Sequence, residues 1–158
     1  GEALVQRGAG EVGDRIVEIV HRQRDAGAGG LVDLPLDHLA VLARRARAPI
    51  GKQDVYLSTV GGVRLTEPAS DLAVALAVAS AVTDRPVRAG TCAFGEVGLA
   101  GEVRPVTGAH RRLSEAARLG FRYAVVPKGV LGAGPVPPEV QVVEVGTVLE
   151  AVQALAAP

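Results

Sequence analysis

The sequence predicts an α/β or α+β fold built on a mixed sheet. Short β-branched segments and apolar helical periods interleave along its 158 residues, and Gly (20 residues) and Pro (10) cut the chain into pieces of strand and helix length. It is 48% hydrophobic but only 3% aromatic, so the core is expected to be made of Ala, Val and Leu. This length suits one domain, and no internal repeat or long linker divides residues 1–158.

Residues 1–30 hold two candidate strands, Ala3 to Gln6 and Arg15 to His21, read as a β-hairpin between glycine-rich loops. From Leu36 to Arg47, Leu36, Leu39, Ala40, Ala43 and Ala46 recur at helical spacing. Pro35 suits the first turn, Pro49 ends the run, and Arg44, Arg45 and Arg47 suit the negative end of the macrodipole. Asp54 to Val60 alternates and reads as a strand running into Gly61-Gly62. The next helix begins around Thr66-Glu67-Pro68-Ala69-Ser70-Asp71, with Thr66 or Ser70 as cap. Its body through Val82 is apolar nearly all round, which predicts burial on most sides.

Thr91 to Val97 and Leu99 to Val106 read as two β segments bent at Gly98, with Gly95 and Gly101 three residues to either side. A helix from Gly108 to Leu119 should turn Leu113, Ala116, Ala117 and Leu119 inward and stop at Gly120. Tyr123 to Pro127 is a short buried strand, Lys128 to Pro138 a Pro/Gly loop, and Gln141 to Val145 a further strand. Thr147 caps a last helix reaching about Leu155.

Composition excludes several chemistries. One cysteine, Cys92, rules out a disulfide and any zinc site built on two cysteines, and its apolar strand predicts an inert thiol. His21, His38 and His110 lack a second His or Cys at helical metal spacing, so no metal is expected. There is no G-x-x-x-x-G-K-[ST], and Gly95-x-x-Gly98-x-x-Gly101 joins two strands instead of opening a helix, so neither ATP hydrolysis nor a cofactor is expected of these residues. Glu96 and Glu102 flank the bend and read as solvated carboxylates. No run reaches the ~18 apolar residues of a membrane span. The start, Gly1-Glu2-Ala3, has no initiator Met and no signal-peptide pattern, and the chain reads as a piece of something larger, expected in the cytoplasm.

Lys and Arg equal Asp and Glu at 17 each, so any attraction to polyanions must be local. Fifteen Arg against two Lys fits a coding bias toward GC-rich codons as well as phosphate recognition. The stretch 101–128 carries Arg104, Arg111, Arg112, Arg118, Arg122 and Lys128 against Glu102 and Glu115, a local excess of four. Arg111 and Arg118, seven apart, share a helix face beside Arg112. These five arginines are the candidate DNA contacts. Two readings stay open, a phosphate-contacting stripe and a solvated face paired with acids from elsewhere.

A resemblance narrows the field. Val60-Gly-Gly-Val-Arg-Leu-Thr-Glu-Pro-Ala-Ser-Asp-Leu-Ala-Val-Ala-Leu-Ala, Asp84-Arg-Pro-Val, Phe94-Gly-Glu-Val-Gly-Leu-Ala-Gly-Glu-Val-Arg-Pro-Val and Arg112-Leu-Ser-Glu-Ala-Ala resemble the C-terminal Lon-protease-like domain of the bacterial RadA (Sms) DNA-repair family, from about Leu36 to Pro127. Residues 1–30 match poorly, and Leu36-Asp37-His38-Leu39 departs from that family's Asp-x-x-Arg-Leu helix start. The resemblance implies the ribosomal protein S5 domain 2-like fold shared with Lon's proteolytic domain. It also implies a ring, expected to be a hexamer of this chain, and a part in branch migration, with the ATPase and zinc segments elsewhere in the protein.

The same segment is similar, more remotely, to the proteolytic domain of Lon, which uses a Ser–Lys dyad. Pro68 matches the proline before the nucleophile, which puts Ala69 at the serine position and Arg112 at the lysine position. Both dyad members are missing, and a guanidinium cannot be desolvated to a neutral base as an amine can. A residual serine-dependent peptidase would need Ser70, whose hydroxyl is turned about 100 degrees from the place of Ala69 on a helix. The resemblance therefore implies a non-catalytic assembly domain, with a DNA-contacting surface as the second role and a peptidase as the alternative.

Overall fold

The computed structural model describes residues 10–11, 16–20, 31–32, 41, 45, 56–59, 67–83, 85–132 and 134–155. They form an antiparallel sheet, a parallel sheet and a two-stranded hairpin, packed with three helices. Strands β1 (Gly10–Glu11), β2 (Ile16–Val20), β3 (Leu31–Val32) and β4 (Tyr56–Thr59) pair antiparallel in the order β1-β2-β4-β3. Ala3 to Gln6 lies outside the described residues. The hairpin partner of β2 is Gly10–Glu11, with Glu11 opposite Ile16. Of the helix expected over Leu36 to Arg47, Val41 and Arg45 are described; both are helical, Val41 buried and Arg45 exposed.

Pro68–Ser70 form a turn of 3₁₀ helix leading into α1 (Asp71–Thr83). Every residue of α1 from Leu72 to Ser80 is buried, as its all-round apolar pattern predicts. Its small Ala and Val side chains let neighbours approach on all sides, and it packs against β1, β2, the strand Glu96–Val97 and the helix Val148–Leu155. Leu72 and Leu76 are among its completely enclosed side chains, each contributing about 1.5–3 kcal/mol through burial. Ser70 corrects the sequence reading: it caps no amide, and its Oγ donates back to the Glu67 carbonyl at 2.7 Å.

The parallel sheet runs β5 (Thr91–Ala93), β8 (Tyr123–Pro127), β9 (Gln141–Val145), with Cys92 opposite Ala124 and Val125 opposite Val143. Parallel and antiparallel pairings thus fall in separate sheets, where the sequence predicts one mixed sheet. The segment Thr91 to Val97 also divides. After β5 the chain bends at Phe94-Gly95 and starts a hairpin of β6 (Glu96–Val97) and β7 (Val103–Arg104). Its turn closes through Gly98 N–H to the Glu102 carbonyl and Gly101 N–H to the Gly98 carbonyl, both 2.9 Å. Leu99, expected in a strand, stands in this turn and is 72% exposed.

Helix α2 (Ala109–Arg118) follows Gly108, which takes a left-handed conformation at φ 75°. Ala109, Leu113 and Ala116 are buried against Cys92, Phe94, Phe121, Ala124 and Val126. Leu119 does not turn inward as expected: the helix ends before it, and at 38% exposure it lies toward solvent. Between β8 and β9 the chain must return the length of a strand, about 16 Å, to pair parallel. The Lys128–Pro138 segment does this without a helix, laying Val130, Leu131 and Val136 on the cluster under α2. Helix α3 (Val148–Leu155) is capped as expected, Glu150 N–H donating to Thr147 Oγ1 at 3.1 Å.

Candidate functional site

Ala69 and Arg112, the two positions where the sequence resemblance leads one to expect a Ser–Lys dyad, lie in the 3₁₀ turn before α1 and in the first turn of α2. Ala69 is buried, and its carbonyl accepts the Gly95 amide at 2.9 Å, tying the 3₁₀ turn to the bend after β5. Next to it Asp71 accepts the Val97 amide at 3.2 Å. Arg112 reaches this turn: its guanidinium donates to the Glu67 carboxylate, and its Nε donates to the Thr107 carbonyl at 3.2 Å. Ser70 is buried with its hydroxyl spent on Glu67. Among the described residues no nucleophile stands beside a base at this point; an ion pair joins the two elements.

The five candidate arginines differ in their partners. Arg104, on β7, is held between two carboxylates: its Nη1 is 3.2 Å from Glu96 Oε1 and its Nε 3.1 Å from Glu102 Oε1. Glu96 and Glu102 therefore hold a guanidinium between them, where the sequence suggests only solvated acids. Glu102 is held below the usual carboxylate range by its own backbone amide first and Arg104 next, with a smaller part from the Ala100 amide. Bonding to Glu102 in turn raises Arg104. Arg118, at the end of α2, donates to Glu115, its Nε at 2.9 Å, and lowers that carboxylate.

Arg111 and Arg122 are exposed, and neither makes a side-chain ion pair among the described residues. Arg111 sits in the first turn of α2. Arg122 precedes β8 at the other end, where its amide donates to the Gly90 carbonyl at 2.9 Å. Lys128 is paired with Glu150 at 3.0 Å. Of the three histidines, His110 is described, and both of its ring nitrogens meet backbone carbonyls.

Two contacts escaped the sequence reading. Glu67 is the acid that engages Arg112, 45 residues away, and no spacing rule connects them. Arg88 lies 3.8 Å from the centroid of the Tyr123 ring, a cation–π contact between the loop before β5 and the start of β8. Among the described residues no three His, Cys, Asp or Glu side chains converge as metal ligands do. No described helix is long and apolar enough to cross a membrane.

Comparison with known proteins places this geometry in a family. The sequence profile described as "Subunit ChlI of Mg-chelatase" matches residues 31–130. The chain belongs to this ChlI family. It is also homologous to proteins named DNA repair protein RadA. The relative from Mycolicibacterium smegmatis is 57% identical over 116 residues, 73% of this chain and 24% of the relative. That from Mycobacterium tuberculosis is 52% identical over 114 residues, 72% of the chain and 23% of the relative. That from Listeria monocytogenes is 47% identical over 115 residues, 73% of the chain and 25% of the relative. This ChlI-family chain thus spans about a quarter of the length of the RadA proteins it matches, and its homology is to proteins named for DNA repair.

Proposed function

We propose that this chain is a catalytically silent, Lon-like domain of a RadA-type DNA recombination and repair protein. Its role is to hold subunits of a ring, a hexamer of this chain's parent protein, and to present a basic surface to DNA during branch migration. The reading makes residues 1–158 one domain, places the ATPase of the full protein outside it, assigns it no cofactor, and puts it in the cytoplasm. The observation that carries the silent reading is the Glu67–Arg112 pair, which engages a permanently charged guanidinium at the position of a catalytic lysine, while Ala69 supplies no hydroxyl.

Within that reading the described geometry favours Arg111 and Arg122 as phosphate contacts. They carry no carboxylate partner among the described residues, whereas Arg104, Arg112 and Arg118 each already neutralise an acid. The peptidase alternative would need Ser70, which is buried and hydrogen-bonded.

Fluorescence anisotropy of labelled single- and double-stranded DNA at two salt concentrations tests the surface. Binding whose affinity falls with a log–log slope of several, about 0.9 per phosphate contact on duplex, is expected. No binding at low salt removes the DNA role and leaves assembly alone. A serine-reactive probe is expected to leave the chain unlabelled, and labelling abolished by Ser70→Ala would restore the peptidase.

A further inference from the structure

A histidine on α2 reaches the crossover between β8 and β9. His110 Nδ1 lies 2.8 Å from the Pro135 carbonyl oxygen and its Nε2 lies 2.8 Å from the Leu131 carbonyl oxygen. A carbonyl only accepts, so each contact is a hydrogen bond only if the ring nitrogen facing it carries a hydrogen. Neutral imidazole has one N–H and one lone pair, and the imidazolium has two N–H groups. From this geometry we infer that His110 is a protonation-dependent latch, closing the Lys128–Pro138 crossover onto the first turn of α2 when both ring nitrogens are protonated and releasing one anchor when the ring is neutral.

The crossover is shaped to the ring. Gly134 N–H donates to the Leu131 carbonyl at 3.2 Å, and a Cβ at Gly134 would collide with His110 Nε2. Leu131, Gly134 and Pro135 therefore close round the imidazole. Gly129 to Pro138 contain no titratable side chain. At the ends of the crossover Lys128 is paired with Glu150, and Glu139 is exposed. On α2 the charged neighbours are Arg111, Arg112, held by Glu67, and Glu115, held by Arg118. Among the described residues, two carbonyl dipoles and no carboxylate thus face the ring.

In the neutral ring one nitrogen would turn a lone pair on a carbonyl oxygen at 2.8 Å, so that anchor becomes repulsive. The apolar contacts of Val130, Leu131 and Val136 keep the crossover nearby, so release is local. Closing also adds a positive charge to the turn that bears Arg111. An anion held there and the proton on His110 then favour one another.

An NMR titration of the isotopically labelled chain between pH 5 and 8, the range in which imidazole changes charge, tests the latch. The His110 ring nitrogen shifts report protonation, and the carbonyl carbon shifts of Leu131 and Pro135 report the anchors. The expected result is a doubly protonated ring at the acid end, with at least one carbonyl shift moving at the same midpoint as the ring. His110→Gln should leave both carbonyl shifts flat over this range. Carbonyl shifts that stay flat while the native ring titrates would overturn the inference, as would a singly protonated ring at pH 5 or carbonyl movement that persists in His110→Gln.

Discussion

The Arg112 guanidinium bonds the Glu67 carboxylate and the Thr107 carbonyl together, joining the turn before α1 to the first turn of α2. Arg112 is 19% exposed and Glu67 54%, so solvent screens the pair in part. Removing Arg112 leaves the exposed Thr107 carbonyl to water and loses the packing of a long aliphatic stem. Arg112→Ala is therefore expected to cost about 1–2 kcal/mol, and Glu67→Gln less than about 1 kcal/mol. Urea unfolding of both single variants and the double variant checks this, with a coupling below the sum of the single effects.

Leu113 and Leu119 make opposite predictions although the sequence reading turns both inward. Leu113 is completely enclosed beneath α2, whereas Leu119 follows the last helical turn. Leu113→Ala should cost about 2–5 kcal/mol, the range for deleting a buried leucine side chain. Leu119→Ala should stay within about 0.5 kcal/mol of the native chain, as surface changes do. Paired denaturation midpoints distinguish the two, and equal losses would mean that α2 continues through Leu119.

Gly98 is required by its neighbour across the hairpin. A Cβ there would run into the Glu102 carboxylate, which accepts the Ala100 amide at 3.1 Å and holds Arg104. In Gly98→Ala that carboxylate must swing away, giving up its hydrogen bonds to the Ala100 amide and to Arg104. Glu102→Ala removes the obstacle, so adding Gly98→Ala to it should cost clearly less than in the native background. A double-mutant cycle in urea reads the difference, and strict additivity would contradict the geometry.

Glu150 gives the domain an acid-sensitive joint. The Gly146 amide first, then Lys128 and Thr147, hold its carboxyl below the usual carboxylate range, bonding the charged form at the start of α3. Because the folded value is depressed, its stabilisation is fully present above the unfolded carboxylate value, about 4.3. It fades as pH falls through the lower folded value. Urea midpoints from pH 7 to pH 3 should decline at the acid end, and Glu150→Gln should flatten part of that decline while lowering the neutral plateau.

Periodicity and breakers made the second half of the domain legible. The pattern of α1 forecast burial from Leu72 to Ser80, and Thr147 forecast the cap of α3. Pairing was less legible. Thr91 to Val97 has one continuous β composition, yet its first three residues join a parallel sheet and its last two a hairpin, because Gly95 lets the backbone turn against Pro127 and Val103. Charge partners were not legible at all. Arg104, Arg112 and Arg118 look alike as members of a basic stretch, and what separates them from Arg111 and Arg122 is where Glu96, Glu102, Glu67 and Glu115 come to rest.

That separation sets the last prediction, on how each arginine affects DNA affinity. An arginine that neutralises a phosphate releases a counterion, so its loss lowers the log–log salt slope by about 1 on duplex DNA. Arg111→Ala and Arg122→Ala are each expected to do so, and the double variant to lower it by about 2. Arg104 is occupied by Glu96 and Glu102, so Arg104→Ala frees two carboxylates instead of removing a phosphate contact. It should weaken binding through repulsion while leaving the slope nearer the native value. Anisotropy titrations at four salt concentrations separate these outcomes, and a slope lost with Arg104 but kept without Arg111 and Arg122 would move the contact surface to the hairpin.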